Sequence, residues 1–63
     1  MFPLEREIYD AITSTDRPLL LDAILRKITG TKHTSRVLMS LHRLEQKEMI
    51  CLTGDGWAKV VTP

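Results

Sequence analysis

Thr34-Ser-Arg-Val-Leu-Met-Ser-Leu-His-Arg-Leu-Glu-Gln-Lys47 carries two different messages on the two sides of one segment. Val37, Leu41 and Leu44 recur at the i, i+4, i+7 spacing of a helical apolar stripe, and Leu38 widens it. Arg36, Ser40, Arg43 and Lys47 repeat that spacing one residue further round, which places three cations on one exposed ridge. A helix of this kind anchors a small core on one side and offers positive charge on the other. The flanking segments must then supply the scaffold and frame the charge.

Upstream, Pro3 suits the first position of a helix, where its missing N–H is no loss, and Glu5 and Glu7 favour the positive end of the dipole. Leu4, Ile8, Ala11 and Ile12 form its apolar stripe. The run Thr13-Ser-Thr-Asp-Arg-Pro18 ends it, because Pro18 disfavours the helical region for its predecessor and the hydroxyls favour turns. Leu19, Leu20 and Leu21 read as a very short strand entering a second helix, which runs to about Ile28 with Leu21, Ile24, Leu25 and Ile28 inward. Gly30 is its expected C′ cap, and the short linker Gly30-Thr-Lys-His hands over steeply to the basic helix, a helix-turn-helix signature.

Downstream the period changes from helical to alternating. Met49-Ile-Cys-Leu-Thr53 and Trp57-Ala-Lys-Val-Val61 are β-prone runs separated by Gly54-Asp-Gly56, whose glycines are expected to supply positive φ for a hairpin. Three helices followed by a hairpin predict a small α+β fold, a winged helix-turn-helix with the hairpin as its wing, forming a single domain over residues 1–63.

The stretch Ser35-Arg-Val-Leu-Met-Ser-Leu41, followed by Leu44, Lys47 and Thr53-Gly-Asp-Gly-Trp57, resembles the Z-alpha family of winged helices, which bind left-handed DNA or RNA. In that family an Asn and a Tyr one turn apart on the recognition helix, a Lys one turn earlier and a Trp in the wing form the recognition surface. The matching positions here are Ser35, Met39, Thr31 and Trp57, so the Trp alone is kept, and Gly54, Asp55 and Gly56 replace the wing prolines. The resemblance covers roughly residues 8 to 61 and implies a diverged member, or otherwise a generic winged helix.

Composition bounds the remaining possibilities. A chain of 63 residues buries only about 60% of the surface it exposes when unfolded, so its core must be economical. Apolar residues at 43% and charged residues at 27% are ordinary for a folded protein, and no stretch approaches the roughly 20 apolar residues of a membrane span. The N-terminal residues have no signal-peptide core, and the lone Cys51 reads as a small core residue in a reducing compartment. An intracellular protein of cytoplasm or nucleus is expected. His33, His42 and Cys51 lack metal-ligand spacing, and no phosphate loop, nucleophile motif or carboxylate pair points to an enzyme or a cofactor.

Charge is unevenly divided. Residues 1–22 hold two bases against five acids, and residues 23–63 hold seven bases against three acids. This polarity suggests a surface for a polyanion. The expected interface is duplex DNA or RNA contacted mainly through its backbone by Lys32, Ser35, Arg36, Met39, Arg43 and Lys47. The Gly54–Gly56 turn would meet a neighbouring phosphate through its N–H groups. Trp57 reads first as a plug pinning the wing to the third helix and second as a base-stacking platform. The competing expectation is a protein-interaction domain or homodimer that uses Met39 and the Leu19–Leu21 run as an apolar surface.

Overall fold

The first helix, α1 (Pro3–Thr13), begins with Pro3 at its first position and an extended Phe2 before it. Phe2 has no side-chain acceptor, so the N-terminus is closed from the other direction: the Phe2 N–H donates to Glu5 Oε2 at 3.3 Å, one half of a capping box. At the far end the Thr13 hydroxyl donates to the Tyr9 carbonyl (2.9 Å) and the Ser14 hydroxyl to Ala11 (2.8 Å), satisfying carbonyls that have no continuing helix to accept from. The computed structural model describes residues 2–29 and 33–60. In it α1 is followed by α2 (Leu21–Lys27), α3 (Thr34–Gln46), β1 (Ile50–Thr53) and β2 (Gly56–Lys59), three helices and an antiparallel hairpin in the winged-helix layout.

The triple leucine alternates as a strand does. Leu19 is buried and forms an antiparallel bridge with Trp57, each residue's N–H donating to the other's carbonyl at 2.8 and 2.7 Å. Leu20 points outward at the N-cap of α2, and Leu21 packs partly buried against the core. Seven residues of isolated helix are not stable in water, so α2 is held by its packing, with Ile24 and Ile28 fully buried. A polar tie adds to this: the N–H and hydroxyl of Thr29 both donate to Glu7 Oε2, at 3.0 and 2.9 Å. Glu7 thus links α1 to the exit of α2. The expected Gly30 cap and Thr31 and Lys32 of the linker lie outside the described residues.

α3 buries Val37, Leu41 and Leu44 as its spacing predicts, but two neighbours exchange roles. Leu38 is 45% exposed instead of widening the stripe, and Ser40 is buried at 7% instead of lining the ridge. The cause is where α1 docks: Leu4 lines a hollow together with Ser40, and Glu5 meets Lys47 on the same side of α3. α3 ends in a Schellman motif, with the Met49 N–H on the Leu44 carbonyl (3.0 Å), the Glu48 N–H on Glu45 (2.9 Å), and Glu48 in the left-handed region at φ 61°.

The hairpin pairs Ile50 with Lys59, Cys51 with Ala58, Leu52 with Trp57 and Thr53 with Gly56. Its strands are shorter than the sequence suggests, although the Val60 N–H still reaches the Met49 carbonyl at 3.2 Å; Val61 lies outside the described residues. Only Gly56 of the two turn glycines adopts a positive φ, 128°. Cys51 is half-buried on the strand, outside the core proper. Among the described residues that core comprises Ile8, Ile12, Leu19, Ile24, Ile28, Val37, Leu41, Leu44 and Ile50, with Met49 and Trp57 packed against it. Among those residues no helix is long and apolar enough to cross a membrane.

Candidate nucleic-acid interface

Because Val37 and Leu44 fix the buried direction of α3, helical geometry puts Ser35, Met39, His42 and Gln46 on the opposite, outermost ridge. All four are exposed, and the Gln46 side-chain nitrogen lies 3.2 Å from His42 Nε2. Arg36, Arg43 and Lys47 are exposed too, but they occupy the flank between this ridge and the buried Ser40. That flank faces the N-terminus of α1. The cations therefore border the outward face instead of forming the exposed ridge that the spacing suggested.

Two of the three cations reach across to α1. The Lys47 ammonium lies 3.4 Å from Glu5 Oε2, with Glu5 almost wholly buried and Lys47 about half exposed. The Arg43 guanidinium sits over the Phe2 ring, 5.3 Å from its centroid. Glu5 Oε2 thus accepts from both Phe2 N–H and Lys47, while Oε1 has no hydrogen-bond partner. A buried carboxylate so incompletely satisfied relies on its one cation, so Lys47 serves first as the counter-charge of Glu5. Sequence reading treated Glu5 as a helix-dipole residue, and the pairing partner 42 residues away left no local signal.

The wing is built from the same economy of contacts. Trp57 is half-buried, packs against the core and holds both backbone bonds of the Leu19 bridge, so it ties the hairpin to the segment entering α2, whereas its first reading had it pinning the wing to the third helix. In the turn the Thr53 hydroxyl donates to the Gly56 carbonyl (2.8 Å) and accepts from the Asp55 N–H (3.1 Å). The Asp55 N–H is therefore already engaged within the turn, and Asp55 places a carboxylate beside it. Lys32 lies outside the described residues.

From His33 to Arg43 the exposed side chains of α3 and its N-cap are His33, Thr34, Ser35, Arg36, Leu38, Met39, His42 and Arg43, with no acid among them. Such a surface offers hydrogen-bond donors and positive charge together with a thioether and a leucine. His42 was missed as a member of it, and Gln46 as the next position along the same ridge, although their spacing from Ser35 and Met39 was legible, because neither is a cation. Phe2 was missed because nothing near it in sequence marks it. Among the described residues no three metal-ligating side chains lie together. Comparison of the chain with protein-family models, with curated proteins and with solved structures finds no match.

Proposed function

We propose that this chain is a nucleic-acid-binding winged helix that lays the exposed ridge of α3 along a duplex and holds it mainly by phosphates, as a diverged relative of the Z-alpha kind. The observation that carries the reading is the acid-free exposed face from His33 to Arg43. Arg36 and Arg43 contact phosphate along its flank, with Lys32 adding charge before the helix, while Ser35, Met39, His42 and Gln46 meet groove edges. Lys47 contributes to the local potential but stays with Glu5. Trp57 supports the wing from beneath. A partner of this kind places the protein in the cytoplasm or nucleus.

A second reading is favoured by Leu38 and Met39, both exposed on α3, and by Leu52 on β1, which together offer apolar surface to a protein partner or a second copy. Salt dependence separates the two. If Lys32, Arg36 and Arg43 neutralise one phosphate each, log K against log salt for duplex binding falls with a slope of about −2.7, and Arg36→Ala with Arg43→Ala brings it to about −0.9. Fluorescence anisotropy of labelled DNA and RNA duplexes at several salt concentrations measures this. Absence of binding to either at low salt overturns the nucleic-acid reading and leaves the protein-interaction one.

A further inference from the structure

Phe2 is an unusual residue to find where it stands. The position before a helix favours Ser, Thr, Asp or Asn, whose side chains close the free N–H groups, whereas the Phe2 side chain closes none of them and the residue is 63% exposed. Its backbone is nevertheless fixed on both sides: the N–H donates to Glu5 Oε2 at 3.3 Å and the carbonyl accepts from the Arg6 N–H at 3.0 Å. The ring itself is covered on one side by the Arg43 guanidinium. An aromatic ring held in place in water, at the expense of local capping preference, signals a surface meant to be occupied.

The ring forms one wall of a hollow of about 200 Å³ lined by Phe2, Leu4, Arg36, Met39, Ser40 and Arg43. Three lining residues are apolar, two are guanidinium cations, and none is acidic. Arg36 and Met39 also belong to the exposed face of α3, so the hollow opens at the edge of the duplex surface described above.

We infer that this hollow takes one unstacked nucleobase, with the adjoining phosphate on Arg36 and Arg43. The inference rests on the proposed nucleic-acid reading and specifies its substrate as a duplex carrying an unpaired nucleotide, a bulge or an overhang. The flat faces of the base lie against the Phe2 ring and the Met39 thioether, which every base can use because stacking is indifferent to sequence. A free phosphate would satisfy the two cations and leave the apolar floor empty. An aliphatic protein segment would fill the floor and leave two guanidinium groups facing it unpaired. A continuous duplex keeps its bases stacked and offers none to insert, so a blunt helix uses the ridge alone.

The test compares a blunt duplex with the same duplex carrying one bulged adenosine, made as DNA and as RNA, using the full chain at one salt concentration. The wild type is expected to bind the bulged form about tenfold more tightly, and 2-aminopurine at the bulge is expected to change its fluorescence on binding. Phe2→Ala should bring the ratio of the two affinities to about one, and Phe2→Tyr should keep it near ten. Because Phe2 is exposed, both variants should retain the wild-type circular dichroism, which is checked alongside. Equal affinity of the wild type for blunt and bulged duplexes overturns the inference and leaves the duplex reading standing. A preference that survives Phe2→Ala overturns it by assigning the unpaired base to another face. Binding to neither form overturns both readings together.

Discussion

Gly56 meets two demands that no other residue type can meet together. Its φ of 128° is outside the range of L side chains, and a Cβ built there would lie 2.5 Å from the Leu19 carbonyl oxygen, a backbone atom that cannot turn aside. Gly56→Ala should therefore break the Leu19–Trp57 bridge and cost at least about 3 kcal/mol, a large part of what a domain of this size has to lose. Gly54→Ala has open space around it and an ordinary φ, so it should be neutral or slightly stabilising in the same urea titration. Equal effects of the two would show that the approach of Leu19 is not what requires glycine. Glu48 presents the opposite case, a side chain at φ 61° in the C′ position of α3 where glycine is preferred. Glu48→Gly should stabilise by about 1 kcal/mol and raise Tm by roughly 4–8 °C, since the left-handed strain it relieves exceeds the entropy it adds. A lowered Tm would reveal a compensating contact of the carboxylate. At this scale the sequence misleads in an instructive way: Gly54-Asp-Gly56 announces a turn, but which glycine is indispensable depends on Leu19, far off in the chain.

Among the elements, α3 was legible in its buried stripe because three aliphatic residues at helical spacing suffice to fix a buried direction. Which polar stripe became outermost was not legible. That depends on which side α1 covers, and α1 chose the side of the small Ser40, leaving Leu38 in water and drawing Lys47 to Glu5. The α1–α3 contact makes a specific energetic claim. Lys47→Met leaves the Glu5 carboxylate buried without its cation and should destabilise by about 1–3 kcal/mol, below the usual range for a buried pair because Lys47 is half exposed. Adding Glu5→Met should recover most of that loss, since two apolar side chains replace an imperfectly satisfied pair. A double-mutant cycle by urea unfolding measures the coupling. Additive losses in the double variant would mean that the ion pair is incidental. The same Lys47→Met protein should also keep the salt slope of duplex binding, which ties the stability result to the proposed interface.

Over the whole molecule, the electrical division of the chain is partly folded away: Glu5 turns in to Lys47, Glu7 holds Thr29, and Asp10 pairs with Arg6 at 3.5 Å on the α1 surface. What stays exposed from His33 to Arg43 is basic and acid-free, and on it Ser35 and Met39 stand one turn apart, at the positions where the Z-alpha pattern has an amide and a phenol. The element order and helical spacing needed for that placement were readable from apolar periodicity, the glycine-flanked turn and Pro18. The depth of Trp57 was not, because it follows from the Leu19 bridge. A thioether can touch a base but presents neither a rigid ring face nor a phenolic hydrogen bond, and a serine hydroxyl is shorter than an asparagine amide. The chain as it stands should therefore convert alternating CG duplexes to the left-handed form poorly, and Met39→Tyr combined with Ser35→Asn should improve the conversion. Both sites are exposed, so the double variant should fold as the parent does, and inversion of the duplex circular dichroism on titration is the readout. Efficient inversion by the unmodified protein would show that Arg36, Arg43 and the existing ridge suffice for the left-handed form. No gain in the double variant would mean that the spacing of Ser35, Met39 and Trp57 belongs to the winged-helix scaffold alone, with Trp57 too far committed to Leu19 to complete the surface.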